Sequence, residues 1–285
     1  IVKSIQIKSK SALQDQPLIS IITIHYNHGV GLRRTVESIL AQTERKVFEW
    51  IVIDGGSTDG SAEFLKGISA DIDVLVSEKD GGIYDAMNKG LGKAQGQYVW
   101  FVNAGDALHD ESVVKVVVAA VRGFEKNHAG VLPDVVFGDT MFIDQEGKSI
   151  GLISQLKPQP FPKKLNKNSF RFGMNVCHQS ILVKRSIAGK YDEQYRLAAD
   201  VDWIIAALKS MNGQSLRIES VLSNFETGGS SFQHTKKAWK ERYDVLTKHY
   251  GAVPNLFAHG WILFRRLLFN LNLLGKRKNA GLLTA

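Results

Sequence analysis

Two aspartates end apolar runs at places where chemistry can be done. Asp54 closes Phe48-Glu49-Trp50-Ile51-Val52-Ile53, and Asp106 follows the run at residues 98–102 through Asn103-Ala104-Gly105. A carboxylate at the first place can accept the imide N–H of uracil or another base donor, and Asn27 with its neighbouring backbone can close over the same base. A carboxylate at the second can hold a divalent cation that bridges two donor phosphates. Diphosphate leaves poorly until its charge is neutralised, so a metal or a basic clamp is needed. Residues 77–106 join the two places and read as a charged turn, a short helix and a buried strand. Together these residues describe a sugar-nucleotide pocket.

Two other nucleotide schemes fail on spacing. A P-loop needs G-x-x-x-x-G-K-S/T between a strand and a helix. Gly147-Lys148-Ser149 supplies its last three residues, but Phe142 stands where the first glycine belongs and the tripeptide falls in a hairpin pattern. A dinucleotide fingerprint needs G-x-G-x-x-G after the first strand. Gly29-Val30-Gly31-Leu32-Arg33-Arg34 puts arginine in the third glycine's place.

The elements that must position these groups follow from periodicity. Strand patterns cover residues 18–24, 48–54, 72–76 and 98–102. Helix patterns follow each of them: Leu32, Val36, Ile39 and Leu40 on one face, then residues 61–67, about 83–93 and 111–124. Four strand–helix alternations imply an α/β fold with a mostly parallel, right-handed sheet covered on both faces. Ligands then bind beyond the carboxyl ends of the strands, where Tyr26, Asn27, Asp54 and Asp106 fall.

After residue 130 the rhythm changes. Residues 134–144 read as strand with a hairpin at 144–148, and 157–167 as a loop holding three prolines and four lysines. Residues 177–184 are strand-like and 197–211 helical. A polar helix is expected at 236–250 and an amphipathic one at 256–274.

At this point the chain resembles a known family. Ile22-Thr23-Ile24-His25-Tyr26-Asn27, Gln42-Thr43, residues 53–60 and Phe101-Val102-Asn103-Ala104-Gly105-Asp106 together look like a family 2 glycosyltransferase of the GT-A fold. Glu78-x-Asp80-Gly-Gly-Ile-Tyr-Asp85-Ala-Met-Asn88-Lys89-Gly90 is similar to a bacterial subgroup that assembles exopolysaccharide, colanic-acid-type and O-antigen chains. The resemblance runs collinearly from residue 18 to about 210.

It implies an inverting transfer from a nucleoside-diphosphate sugar, with UDP preferred, to a hydroxyl of a glycan or lipid-linked acceptor. By matching position, Asp54 binds the base, with Thr23, Tyr26, Asn27, Gly55 and Ser57 around it. Asp80, Asp85, Lys89 and Asn103 lie near the ribose, sugar or diphosphate. Asp106 holds Mg²⁺ or Mn²⁺, and His234 is either a further ligand or phosphate donor, or a surface residue. The family's base sits in a Glu-Asp pair. Here that place reads Ala198-Ala199-Asp200-Val201-Asp202-Trp203, so Asp200 matches the aspartate, Ala199 replaces the glutamate and Asp202 is a rival. A carboxylate at a pocket edge can take the acceptor hydroxyl's proton as the new bond forms. Asp202 and Trp203, with His178 of Cys177-His178-Gln179-Ser180, are placed toward the acceptor.

Two departures stand out. Asn103 and Gly105 replace acids of the usual metal motif, leaving Asp106 with water and diphosphate oxygens as ligands, a style that suits Mg²⁺. Together with Ala199 they motivate the alternative of a degenerate transferase that holds a sugar nucleotide or glycan without turnover.

The totals bound the rest. The chain has 285 residues, 44% of them hydrophobic and 22% charged, enough for one large α/β domain with an appendage. One cysteine excludes an intrachain disulfide and a cysteine-built zinc site. The net charge of +8 is partly a tail property, with Arg265, Arg266, Lys276, Arg277 and Lys278 and no acid after Asp244. That favours an anionic membrane surface, and no nucleic-acid motif accompanies it. The helix at 256–274 then reads either as a packing helix or as an in-plane membrane helix, with Trp261, Phe264, Leu268 and Leu271 on one face. Arg265 and Arg266 interrupt its apolar run, which falls short of the ~18 residues of a spanning helix. Residues 1–16 carry no apolar h-region. The expected organisation is an extension at 1–16, a catalytic domain at 17–235 divided after residue 106, and C-terminal helices at 236–285. The expected location is cytoplasmic, peripheral on the inner face of the membrane.

Overall fold

The computed structural model of the chain describes residues 5–8, 16–229 and 234–271. Among the described residues ten strands form one sheet: β1 Ile5–Lys8, β2 Ile19–His25, β3 Phe48–Asp54, β4 Val74–Ser77, β5 Tyr98–Phe101, β6 Ala107–Leu108, β7 Val135–Ile143, β8 Ser149–Leu152, β9 Ile181–Lys184 and β10 Ser215–Glu226. The helices are α1 Gly29–Leu40, α2 Ser61–Gly67, α3 Ile83–Lys93, α4 Val113–Asn127, α5 Ile153–Leu156, α6 Ala199–Lys209, α7 Thr235–Tyr250 and α8 Ala252–Asn270.

Strand order is β1-β4-β3-β2-β5-β9-β7-β10-β6, with β8 on β7. The block β4-β3-β2-β5 is parallel. Its two longest members, β2 and β3, are buried at every residue, as expected where helices cover both faces. Alternation along β2 divides the core. Ile19 and Ile21 pack with Trp50, Tyr98 and Trp100 against α1, α2 and α4. Ile22 and Ile24 pack with Ile51, Ile53 and Phe101 against α3, α6 and α7.

The second half of the sheet is mixed. β9 runs antiparallel to both β5 and β7, while β10 pairs parallel with β7 and antiparallel with β6. This return brings the end of β10 back to the end of β5, where the Glu226 amide donates to Asp106 Oδ1 at 3.1 Å.

Several boundaries differ from the sequence reading. Residues 5–8, expected in an extension, pair antiparallel with β4 as an edge strand. Ile5-Gln6-Ile7-Lys8 carries the period-two pattern that such a strand needs. β4 starts at Val74, because the Asp73 carboxylate turns to accept the Trp50 amide at 2.8 Å and Arg45 at 2.6 Å. β9 starts at Ile181, after a 3₁₀ turn at His178–Ser180. The basic residues Lys276, Arg277 and Lys278 lie outside the described residues.

Candidate functional site

Parallel register aligns the strand ends. His25 pairs with Asp54, Asp54 with Ser77, and Ile22 with Phe101, so the chain leaves β2, β3, β4 and β5 on one edge. The amides of Val102 and Ala104 bond to the carbonyls of Ile22 and Ile24, extending β5 past its last residue toward Asp106.

The loop after β3 is tied at both ends. Asp54 is fully buried, accepts the Ser77 hydroxyl at 2.5 Å and receives the Ser57 amide at 3.2 Å. Asn27, at φ 46°, accepts the Thr58 amide through its side chain and donates its own amide to Ser57 Oγ. Asparagine tolerates that left-handed backbone. Asp59 accepts the Gly29 amide at 3.0 Å, joining this loop to the start of α1. Tyr26 is 63% exposed, with its ring over Gly55. Thr23 differs from its expected place: it is fully buried, and its hydroxyl accepts the Trp50 indole N–H at 3.1 Å inside the core.

The turn before α3 closes over this loop. A Cβ on Gly55 would lie 2.4 Å from Asp80 Oδ2, so only glycine lets that carboxylate sit against the β3 loop. Burial pushes the Asp80 carboxyl up, and the charges of Asp85 and Asp54 push the same way, against the Gly82 amide and Lys89. Lys89 bridges Glu78 at 3.0 Å and Asp85 at 3.2 Å, and Asp85 accepts the Gly81 amide at 2.8 Å. These acids and their lysine therefore form one wall.

The N-terminus of α6 meets this wall. Arg196 donates to the Gly81 carbonyl at 2.7 Å, and the Tyr84 hydroxyl lies 3.4 Å from Asp200 Oδ1. Asp200 is half-buried at this junction. Beneath it, Tyr191 stacks between Tyr84 and Trp203, and His178 Nε2 lies 2.8 Å from the Tyr191 hydroxyl. Burial lowers the His178 pKa to about 4, with the Asp200 charge opposing it.

Three residues expected to face an acceptor are placed inside instead. His178 is 4% exposed and belongs to the support of Asp200. Trp203 is buried and donates to the Gly189 carbonyl at 2.5 Å. Asp202 is buried and pairs with His249 at 2.8 Å and Lys248 at 2.9 Å of α7. Two helical positions separate Asp202 from Asp200 by about 200°, so the two carboxylates leave α6 on different faces.

Asp106 is 5% exposed, and burial pushes its carboxyl up to about 7. The Glu226 charge adds to this, while the Glu226 amide, the Gln179 side chain and Arg34 oppose it. Beside it, Asn103 Oδ1 is buried with no hydrogen-bond partner. Among the described residues no group of three His, Cys, Asp or Glu side chains is arranged to hold a metal. His234 stands exposed just before α7.

The sequence reading missed a polar cluster beside Asp106. Glu226 pairs with Arg34 at 2.5 Å and His28 at 3.2 Å, and Arg34 also donates to the Gly105 carbonyl. Gly105, at φ 102°, lies so close that a Cβ there would meet His28 and Glu226. His25, at the end of β2, is also new: both ring nitrogens are buried without a partner. Arg196 had one available signal, its position four residues before Asp200.

Comparisons with known proteins bear on the fold and the family. The uncharacterized glycosyltransferase Rv1514c of Mycobacterium tuberculosis (strain ATCC 25618 / H37Rv) is 35% identical over 217 residues, 75% of this chain and 76% of that protein. A PGL/p-HBAD biosynthesis glycosyltransferase of Mycobacterium bovis (strain BCG / Pasteur 1173P2) is 26% identical over 239 residues, 81% of this chain and 86% of its own. Among solved structures, S. aureus TarS 1-349 in complex with UDP-GlcNAc superposes with a TM-score of 0.60 at 14% identity, covering 88% of this chain and 73% of that one. The mannosyltransferase PcManGT from Pyrobaculum calidifontis, in complex with GDP-Man and Mn²⁺, gives 0.54 at 16% identity, covering 95% and 79%. These likenesses establish the GT-A fold. Residues 20–191, which span the β3 loop, the Asp80 turn and Asp106, match the model for Glycosyl transferase family 2, and the chain belongs to that family.

Proposed function

We propose that this glycosyltransferase moves a sugar, with inversion, from a nucleoside-diphosphate sugar to a hydroxyl of a glycan or lipid-linked acceptor in surface polysaccharide or glycolipid assembly. One observation carries the reading: the Tyr84 hydroxyl contact to Asp200 sets a half-buried carboxylate against the Asp80 turn, itself packed on the Asp54 loop. This chain of contacts supports a single site for the base-binding groups and the proton acceptor. The donor base lies between Asp54, Asn27 and Tyr26, and the sugar lies toward Asp80 and Asp200. UDP-GlcNAc and GDP-Man in the two superposed structures support a nucleotide-sugar donor. The name of the Mycobacterium bovis relative supports a glycolipid product.

Asp200 accepts the acceptor hydroxyl's proton while the oxygen attacks the anomeric carbon and the nucleoside diphosphate departs from the opposite face. Tyr84 and Arg196 hold the start of α6 in register with the Asp80 turn during that step. The buried Asp106 carboxyl and the unpartnered Asn103 oxygen fit a divalent cation completed by donor phosphates. Mg²⁺ or Mn²⁺ bound there would neutralise charge on the leaving diphosphate.

The test is transfer and binding measured side by side. Asp200→Asn is expected to bind UDP-sugar normally and to lose transfer by about 10²–10⁴-fold. Full transfer by that variant would remove Asp200 from the role. Asp106→Asn is expected to erase the gain in donor affinity on adding Mn²⁺, read by calorimetry. An unchanged gain would place the cation elsewhere.

A further inference from the structure

The helix that carries Asp200 begins without a cap of its own. α6 opens at Ala198-Ala199, and no side chain there bonds to the first amides. A serine, threonine or aspartate at such a start would accept an amide and fix the entry of the chain. Here a residue from far along the chain takes the two amides just before the helix. Those of Arg196 and Leu197 both donate to Glu241 Oε2 of α7, at 2.9 and 2.7 Å. Glu241 is 9% exposed. A charged acceptor makes such bonds stronger than a neutral one does, and a buried amide left without an acceptor is costly.

A second attachment lies beyond Asp200. Lys248 of α7 pairs with Asp202 at 2.9 Å and with Asp192 at 3.0 Å, and His249 pairs with Asp202 at 2.8 Å. Glu241 and Lys248 are almost two helical turns apart, so they leave one face of α7 with about 10 Å between them along its axis. The Tyr243 ring and the Thr247 hydroxyl lie on the other face, where they meet His259 and Asn255 of α8. The segment from Asp192 to Asp202 is therefore pinned to α7 on both sides of Asp200. Arg196, held at its amide by Glu241, also reaches with its side chain to the Gly81 carbonyl of the Asp80 turn. The stretch matched to Glycosyl transferase family 2 ends at residue 191, so this support comes from beyond it.

We propose that Glu241 is a positioning residue for sugar transfer: through the Arg196 and Leu197 amides it fixes the start of α6, and so the place of Asp200 against the acceptor. Its own carboxylate touches neither donor nor acceptor. The inference rests on the reading of Asp200 as the base, but the hold on α6 is measured without any substrate, so either can fail alone. Misplacing a reacting group by about 1 Å can cost about 10²-fold in rate.

The experiment uses the full chain with Glu241→Ala, Glu241→Gln, Glu241→Asp and Asn255→Ala. Turnover is read as UDP released from UDP-GlcNAc with water as acceptor, donor affinity by calorimetry, and the hold on α6 by hydrogen–deuterium exchange with mass spectrometry. Glu241→Ala is expected to lower kcat by about tenfold or more, with donor affinity and donor KM unchanged. Glu241→Gln keeps an oxygen for the two amides and should stay within about threefold of the unaltered chain. Glu241→Asp withdraws the carboxylate by one methylene and should lower kcat in the same sense as Glu241→Ala, which keeps the role testable if the alanine variant does not fold. Asn255→Ala loosens α8 from the far face of α7 and should lower the melting temperature without changing kcat. Amide exchange at residues 196–202 should rise by about tenfold in Glu241→Ala and stay unchanged in Asn255→Ala. Unchanged kcat in Glu241→Ala and Glu241→Asp, or a loss shared in full by Glu241→Gln or Asn255→Ala, would overturn the positioning role. Unchanged exchange at 196–202 overturns it with no substrate present. Full turnover by Asp200→Asn, with exchange still raised in Glu241→Ala, would overturn the base reading and leave the hold on α6 standing.

Discussion

The Tyr84 hydroxyl, 3.4 Å from Asp200 Oδ1, joins the helix after the Asp80 turn to the helix that carries the proposed base. Burial and then the Asp200 charge push the phenol well above its ordinary range, while the amides of Asp200 and Ala199 act in the opposite sense. The phenol therefore keeps its proton and sits at the start of α6, where no side chain caps the helix. Tyr84→Phe removes one donor from the carboxylate and keeps the ring stacked on Tyr191. Its turnover should fall about tenfold, equivalent to about 1.4 kcal/mol, with nucleotide affinity unchanged. Steady-state rates beside donor calorimetry check this; a matching loss of affinity would make the contact a general structural one.

His178 gives the fold a pH dependence with a definite sign. Burial lowers its pKa from 6.5 to about 4, so the folded state holds the neutral ring. The stability it contributes is present above about pH 6.5 and is lost as pH falls toward and through about 4. The loss approaches about 3 kcal/mol across that window. Glutamine can keep a hydrogen bond to Tyr191 without an imidazole to protonate. Melting temperature should therefore drop less between pH 7 and pH 4 in His178→Gln than in the unaltered chain. Parallel slopes would show that other groups govern the acid limb.

Gly55 is where the proposed base-binding loop and the Asp80 turn touch. A Cβ there would lie 2.4 Å from Asp80 Oδ2 and 3.3 Å from the Tyr26 ring. The carboxylate is the end of a side chain and can swing away, so Gly55→Ala should fold with a stability loss of about 1 kcal/mol or less. Moving Asp80 and Tyr26 together should weaken UDP-sugar binding by about tenfold or more. Calorimetry with UDP and with UDP-sugar separates the two effects. If UDP alone binds normally and UDP-sugar does not, Asp80 contacts the sugar rather than the nucleoside.

The parallel half of the sheet was legible because its information is local. Apolar runs at 48–54 and 98–102 end at the polar residues that the parallel register then aligns, so Asp54 and Asp106 follow from strand ends alone. Asp85 and Lys89 were expected as a helical pair and form one, with Glu78 as a third member. Side-chain direction was not legible. Thr23, Asp202 and Trp203 sit within the expected strand and helix, but register and helix phase turn them into the core or onto α7. Glu226 was invisible for another reason: 120 residues separate it from Asp106, and only the mixed sheet returns it there.

That long-range return can be measured. Arg34 and Glu226 pair at 2.5 Å, with side chains 22% and 13% exposed, and His28 approaches the other carboxylate oxygen. Removing either partner leaves a partly buried charge, which costs more than the net value of the pair. Arg34→Met and Glu226→Gln should each destabilise the fold by about 1–3 kcal/mol. The double variant should lose less than the two losses combined, because the second change relieves a charge that the first left alone. Denaturant unfolding of all four proteins gives this coupling directly. The Glu226 amide also donates to Asp106, and the Glu226 charge helps to push the Asp106 carboxyl up. The cycle therefore has a second readout, donor affinity with and without Mn²⁺. Glu226→Gln should alter that affinity if the pair tunes Asp106. Strict additivity in stability, with unaltered affinity, would reduce the cluster to a surface contact.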